Sequence, residues 1–281
     1  MSTSIECINN ISSPLQPPDE SFEVFTTLRY DGTLPGDHIS AQIPLFTRHV
    51  QRLATSWSHF SKDTKLGQFN WNDSLCAALE ASIPPTDRQR NLRLKASVQI
   101  DQDLPIIDIQ VFAFDSAPLF NGSLSRLDST PSGTCALSQV LISPQPVCAQ
   151  SSDRDFLLHK TSQRGIYDTH TSIAHQLLPT TMTVLLYSPV SSSTSHKVTE
   201  TAISNILFLP PLAEKWITPS IESSTPFLPG LMRQELLDKG EIAEQTITLD
   251  DVRLWLNSGG RVACCNALRG IWEVNLVWSD K

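Results

Sequence analysis

The chain has 281 residues, a formal charge of −8 and six cysteines, so it is long enough to bury a substantial core as one large or two modest domains. The acidic balance gives no electrostatic footing for nucleic acid or an anionic membrane, and no apolar run approaches the ~18 residues that span a bilayer. Cysteines 7, 76, 135, 148, 264 and 265 form no C-x-x-C pair and no zinc spacing, and Met1 to Glu6 carries no basic or apolar leader, so a soluble cytoplasmic protein with reduced thiols and no metal is expected.

Phe22 to Tyr30, apolar and rich in threonine, reads as a strand entering a hairpin at Asp31-Gly32. Phe46, Val50, Leu53, Trp57 and Phe60 recur at spacings of four and three, which predicts an amphipathic helix. A second helix is expected over Asn72 to Ser82, stopped by Pro84-Pro85. Leu92, Leu94, Ala96, Val98 and Ile100 alternate with polar residues, as do Ile107, Ile109, Val111 and Ala113. Both predict half-buried strands, paired across Asp101-Gln102-Asp103. Strands and helices therefore mix without a βαβ rhythm, which points to an α+β or α/β class.

Residues 115–134 are rich in Ser, Pro, Gly and Asp and read as a linker. They divide the chain into a small N-terminal domain (1–115), a linker (116–133) and a larger domain (134–281). In the larger part, a helix is expected over Gly165 to Leu178, with strands over Met182 to Tyr187 and Ile203 to Leu209. Ser188 to Thr199, serine-rich, reads as a flexible loop. Leu231 to Lys239 reads as a short helix that Gly240 ends. Val262 to Cys265 and Trp272 to Trp278 are the closing strands. There is no internal repeat.

The run that carries most chemical information is His159-Lys160-Thr161-Ser162-Gln163-Arg164-Gly165-Ile166-Tyr167-Asp168. Forty residues after its lysine comes Glu200-Thr201-Ala202-Ile203-Ser204-Asn205-Ile206-Leu207-Phe208. A lysine followed by Glu-x-x-x-x-Asn-Ile/Leu-x-Phe resembles the signature of the two-domain fold type IV pyridoxal-phosphate enzymes. That group holds branched-chain, D-amino-acid and (R)-amine aminotransferases and 4-amino-4-deoxychorismate lyases. Such chemistry needs a lysine to carry the cofactor, an acid to keep its pyridine nitrogen protonated and donors for its phosphate.

The resemblance implies a role for each matching residue. Lys160 carries pyridoxal 5′-phosphate, and Glu200 pairs with the pyridine nitrogen, with Asn205 behind it. Arg52, in His49-Val50-Gln51-Arg52-Leu53, matches a His-x-x-Arg-Leu run whose arginine clamps the phosphate. By sequence rules alone it is an ordinary helical arginine. Leu228-Pro229-Gly230-Leu231-Met232-Arg233 matches a turn whose backbone N–H groups, here those of Leu231 and Met232, hold the phosphate at a helix N-terminus. Asn266 and Ala267, in Cys265-Asn266-Ala267-Leu268, take the last phosphate places, and the run is that of bacterial aminodeoxychorismate lyases.

Phe25-Thr26-Thr27-Leu28-Arg29 resembles the Phe-Thr-Thr-x-Arg strand of the lyases; aminotransferases more often carry a glutamate in the first of those threonine places, that of Thr26. Alternation puts Phe25 and Thr27 on one face, which by resemblance lines the substrate pocket. Thr27 also reads as an ordinary strand threonine. Arg164 and Tyr167 fall on the lysine's side of the next helix and either read a substrate carboxylate or pack the helix. The expected function is 4-amino-4-deoxychorismate lyase, releasing 4-aminobenzoate and pyruvate for folate biosynthesis, with Lys160 or Thr27 as the final proton donor. A D-amino-acid or (R)-amine aminotransferase, or a dual activity, is the alternative. Bacterial lyases often carry Arg-Gly where this chain has Gln99-Ile100, and the Ser191 loop is longer than usual, as in a fungal-type lyase. The family's homodimeric state and a small-molecule amine or amino acid substrate are expected with it.

Overall fold

Strand β1 (Glu23–Asp31) buries Val24, Thr26, Leu28 and Tyr30 on one face and turns Phe25 and Thr27 to the other, as its alternation dictates. It belongs to a computed structural model that describes residues 21–61, 69–101, 104–114, 120–128, 137–189 and 195–279. β1 pairs antiparallel with β2 (Asn91–Gln99) in the register Glu23↔Gln99 to Asp31↔Asn91, and β2 with β3 (Asp108–Ala113), making a three-stranded sheet. The β2–β3 pairing matches the expectation. The hairpin at Asp31-Gly32 does not form. That turn instead leads into two helices, and the strand that pairs with β1 starts at Asn91. Gly32 is needed there because a Cβ would lie 2.4 Å from the Arg88 carbonyl oxygen.

Helix α1 (Phe46–Phe60) buries Phe46, His49, Leu53, Ser56 and Trp57 against this sheet, so the apolar stripe includes one histidine that periodicity in apolar residues missed. Helix α2 (Trp71–Ser82) starts where the Asn70 side chain accepts the Asp73 amide at 3.1 Å. It ends before Pro84, which cannot continue it. Trp57 is fully buried in this core, beside Leu53, Leu75, Leu79 and Leu94.

The second sheet has eight strands in the order β6-β5-β4-β11-β10-β7-β8-β9. These are β4 (Ser138–Ile142), β5 (Thr183–Pro189), β6 (His196–Thr201), β7 (Asn205–Leu209), β8 (Trp216–Pro219), β9 (Ile242–Gln245), β10 (Arg261–Asn266) and β11 (Gly270–Val277). Its pairings mix both directions: β4 runs parallel to β5 and β11, and β7 antiparallel to β10. Helices α3 (Ser125–Asp128), α4 (Arg154–Leu158), α5 (Gly165–Leu177), α6 (Leu231–Asp238) and α7 (Leu249–Asn257) complete the chain. The architecture is mixed α/β, with helices set against a three-stranded and an eight-stranded sheet.

Gly240, at φ 68°, ends α6 as expected, and α7 opens on a capping box between Thr248 and Asp251. Strands β4, β8 and β9 and helix α7 carry periodicities too short or too mixed to stand out in the sequence. The serine-rich stretch is shorter as a loop than expected. β5 runs to Pro189 and β6 begins at His196, while residues 190–194 lie outside the described residues. The strand expected from Ile203 starts at Asn205, because Thr201 Oγ1 accepts the Ser204 amide at 3.0 Å and bends the chain there. Of the expected linker, 120–128 are described and dock on the large sheet, with the Asn121 carbonyl accepting from the Ile271 amide at 2.8 Å. Residues 115–119 and 129–136 lie outside the described residues.

Two seams join the sheets. At the first, the Phe25 amide donates to the Lys160 carbonyl at 2.8 Å and the Ser162 amide to the Glu23 carbonyl at 3.0 Å. The Lys160 segment thus lies along β1 like a short extra strand. At the second, Arg48 of α1 reaches α6, donating to Glu235 at 2.8 Å and Asp238 at 2.6 Å.

Candidate active site

Lys160 sits between α4 and α5, at the first seam. Its ammonium lies 4.8 Å from the centroid of the Phe25 ring. Burial pushes the amine down to about 7, the Arg164 and Arg52 guanidiniums push the same way, and Glu200 opposes them. An amine near neutrality at physiological pH is a usable nucleophile and proton carrier.

Glu200 is 4% exposed near the end of β6. Burial raises its carboxyl to about 7, against the opposing pull of hydrogen bonds from Tyr167 and Leu228 and of the Arg164 and Lys160 charges. Both hydrogen bonds go to one oxygen: the Tyr167 hydroxyl donates to Oε1 at 2.7 Å and the Leu228 amide at 3.0 Å. A cation placed beside Glu200 would favour its ionised form.

Asn205, at the start of β7, donates through Nδ2 to the Leu228 carbonyl at 2.9 Å. Leu228 is therefore clamped at both ends, its N–H by Glu200 and its C=O by Asn205. The five-residue spacing of those two side chains carries this out, since β6 ends and β7 begins around the Thr201 turn. The clamp fixes the approach to α6. Gly230 follows with no room for a side chain, for a Cβ would sit 1.8 Å from Asn205 Oδ1. Leu231 and Met232 then open α6, and the first amides of a helix have no intrahelical acceptor.

Arg52, on α1, faces the same turn and donates to the Pro229 carbonyl at 3.0 Å. Burial lowers its guanidinium to about 10, with Glu200 opposing. One turn earlier, His49 is fully buried, with Nδ1 2.7 Å from Thr26 Oγ1. Burial, helped by Arg52 and Lys160, pushes it down to about 3, so it stays neutral. The Arg48 bridges hold α1 against α6 and so hold Arg52 beside Leu231 and Met232.

Asn266 and Ala267 lie further out. Asn266 caps the β10–β11 turn, accepting the Leu268 and Arg269 amides at 3.0 and 2.8 Å, and donates to the Ile203 carbonyl at 3.2 Å. Ala267 is buried beside it. Arg164 donates to the Ala202 carbonyl at 2.7 Å and stacks on Tyr167, its guanidinium carbon 4.6 Å from the ring centroid. The Thr27 hydroxyl makes no hydrogen bond among the described residues. A pocket between Phe156, Lys160, Arg164, Tyr167 and Leu228 opens beside the lysine.

The structure thus gathers Lys160, Glu200, Asn205, Arg52, Leu231, Met232, Phe25 and Arg164 around one place. Four participants were missed by sequence: Arg48, His49, Ser56, which pairs with His159 Nδ1 at 3.0 Å, and Tyr167 as a partner of Glu200. Tyr167 carried a signal in its seven-residue distance from Lys160, and His49 in opening the His-x-x-Arg-Leu run. Pyridoxal phosphate fits this donor set. Lys160 could supply a reactive amine, Glu200 a carboxylate for the ring nitrogen, and Arg52 with the amides of Leu231 and Met232 donors for the phosphate.

A family model described as amino-transferase class IV matches residues 23–277. Among solved structures, a Mesorhizobium loti protein provisionally named an amino-acid aminotransferase is 21% identical, with a TM-score of 0.62 over 91% of this chain and 100% of its own. A Haemophilus somnus protein provisionally named 4-amino-4-deoxychorismate lyase is 18% identical, with a TM-score of 0.56 over 89% of this chain and 97% of its own. A branched-chain amino acid aminotransferase from Thermobaculum terrenum, an engineered mutant, is 15% identical at a TM-score of 0.57, over 90% and 75% respectively. No curated protein matches the sequence.

Proposed function

Because the chain belongs to the amino-transferase class IV family, we propose that it is a pyridoxal-phosphate enzyme acting as a 4-amino-4-deoxychorismate lyase. The observation that carries the reading is the open face of β1. Phe25 on that face lies against Lys160, and Thr27, next along it, has a hydroxyl with no hydrogen bond among the described residues; the glutamate of many aminotransferases falls one place earlier, where this chain has Thr26. The Gly230-Leu231-Met232-Arg233-Gln234 and Cys265-Asn266-Ala267-Leu268 runs support the same reading.

Bound pyridoxal phosphate would supply an electron sink for a carbanion at the substrate Cα. With its amine at about 7, and so about half deprotonated at neutral pH, Lys160 would take the Cα proton. Glu200 holds the ring nitrogen and is itself held by Tyr167 and Leu228. Arg52 and the α6 N-terminus would hold the phosphate. Expulsion of the enolpyruvyl group leaves an aromatic product, and Lys160 or Thr27 returns the proton that completes pyruvate. Two copies of the chain, each with its own lysine, form the proposed working unit, in the cytoplasm and in the service of folate biosynthesis.

The second reading is a D-amino-acid or (R)-amine aminotransferase, alone or alongside the lyase. Gln99-Ile100, where bacterial lyases often carry Arg-Gly, departs from the bacterial lyases and suits a fungal-type lyase or a dual-activity enzyme. One experiment separates them. The purified protein with pyridoxal phosphate is given enzymatically generated aminodeoxychorismate, and separately D-alanine or (R)-1-phenylethylamine with 2-oxoglutarate. Rapid 4-aminobenzoate release, lost in Lys160→Ala, supports the lyase. Amine transfer without 4-aminobenzoate overturns it in favour of the aminotransferase, and both together establish a shared pocket.

A further inference from the structure

Glu200 receives its two hydrogen bonds on the same oxygen, and one of them comes from a side chain outside the strand that carries it. That donor, Tyr167, is 6% exposed in the first turn of α5. Its ring is covered by the Arg164 guanidinium at 4.6 Å, and Arg164 in turn donates to the Ala202 carbonyl at 2.7 Å, two residues beyond Glu200. Arg164, Tyr167, Glu200 and Ala202 therefore close a ring of contacts between α5 and the end of β6. Within that ring the Tyr167 hydroxyl has one direction to point.

We propose that Tyr167 is the positioning residue for Glu200, fixing which carboxylate oxygen faces the pocket and favouring the ionised carboxylate there. The proposal rests on the reading that Glu200 pairs with the cofactor's ring nitrogen. A hydroxyl donor stabilises the charged form of a carboxylate and orients it. Burial and the neighbouring carboxylate hold the Tyr167 phenol well above its usual range, so it remains a donor at every pH the enzyme meets. With Oε1 taken twice, Oε2 is left to the guest. The charged and titratable groups facing Glu200 are Lys160 from the loop after α4, Arg164 and Tyr167 around the start of α5, and Arg52 from α1. Of these, only Tyr167 hydrogen-bonds to the carboxylate. Arg164 then acts on Glu200 through Tyr167 and Ala202, which assigns it a bracing role.

The test uses pyridoxamine 5′-phosphate, which shares the ring and phosphate of the cofactor but forms no bond with Lys160. Its dissociation constant is measured by tryptophan fluorescence from pH 6 to 9 for the wild type, Tyr167→Phe, Glu200→Gln and the double variant. Far-UV circular dichroism and the urea midpoint verify the fold of each. Tyr167→Phe keeps the ring under Arg164 and removes only the hydroxyl. The expected result is about tenfold weaker binding in the wild-type background and less than about a twofold change in the Glu200→Gln background. Without its donor the Glu200 carboxyl ionises at higher pH, so the acid-side loss of affinity moves upward in Tyr167→Phe. Equal losses in both backgrounds would reduce Tyr167 to packing, and an unchanged constant and pH profile would overturn the proposal outright. A wild-type chain that binds no pyridoxamine phosphate overturns the cofactor reading, and this inference with it.

Discussion

The two sides of the candidate site are built differently. On the large-sheet side, Tyr167, Glu200, Leu228 and Asn205 hold one another through three hydrogen bonds of 2.7–3.0 Å, with Gly230 packed against Asn205. On the small-sheet side, Phe25 and Thr27 stand on the open face of β1, held in place by backbone pairing to β2 and to the Lys160 segment. The first side is a closed polar network, in which every member orients another. The second is a surface whose side chains are free to be exchanged. A buried network is costly to alter because an orphaned polar group keeps its full desolvation penalty. A strand face is cheap to alter, since substitution leaves the ladder intact. The contrast fits the proposal that the large sheet, with Arg52 reaching in from α1, handles the cofactor and that β1 faces the substrate.

The strongest way to break this contrast is Lys160→Ala. Borohydride reduction with pyridoxal phosphate followed by mass spectrometry should find no adduct at the Lys160 peptide, and turnover should fall at least about 1,000-fold. An adduct retained elsewhere with undiminished turnover would remove the lysine from its assigned place. Glu200→Gln should lower turnover about 100-fold, the scale of losing one well-placed electrostatic partner, while urea unfolding stays near the wild type because an uncharged amide replaces a buried acid.

Arg52→Ala should weaken pyridoxal phosphate binding roughly tenfold, a loss of ~1.4 kcal/mol, read by fluorescence titration at fixed salt. The pH dependence of covalent capture is of similar size. The Lys160 amine reacts only when deprotonated, and with its value at about 7 the capture rate should rise about tenfold between pH 6 and pH 8, then level off. A rate still climbing steeply towards pH 10 would mean that the lysine is solvated like any other. The smallest effect sharpens the other side of the comparison. Thr27→Val should lower 4-aminobenzoate formation several-fold and leave the pyridoxal phosphate dissociation constant within about twofold, as expected of a residue facing substrate alone. A parallel loss of cofactor affinity would place Thr27 in the same network as Glu200.

How much of this was legible beforehand depends on the residue. α1, α2, α5 and α6 and the strands around Leu92, Met182, Val262 and Trp272 are local patterns, and each formed within a few residues of its expected place. Lys160, Glu200 and Arg52 stood out through motif spacing. The supposed hairpin at Asp31 failed because a Gly turn says where a strand stops and nothing about which strand it joins. β8 and β9, four residues each, are too short to show a period at all.

What the sequence determined by itself is therefore the set of elements and the chemical types at the site. A side-chain period, a cap and a glycine at positive φ act over a few residues and are written in order along the chain. Only the tertiary structure decided that β1 lies along Lys160, that Glu200 and Asn205 clamp Leu228 from opposite ends, and that Tyr167 bonds to Glu200. Those pairs are separated by 23 to 135 residues, and which partner a buried donor finds depends on how the sheets and helices pack around it.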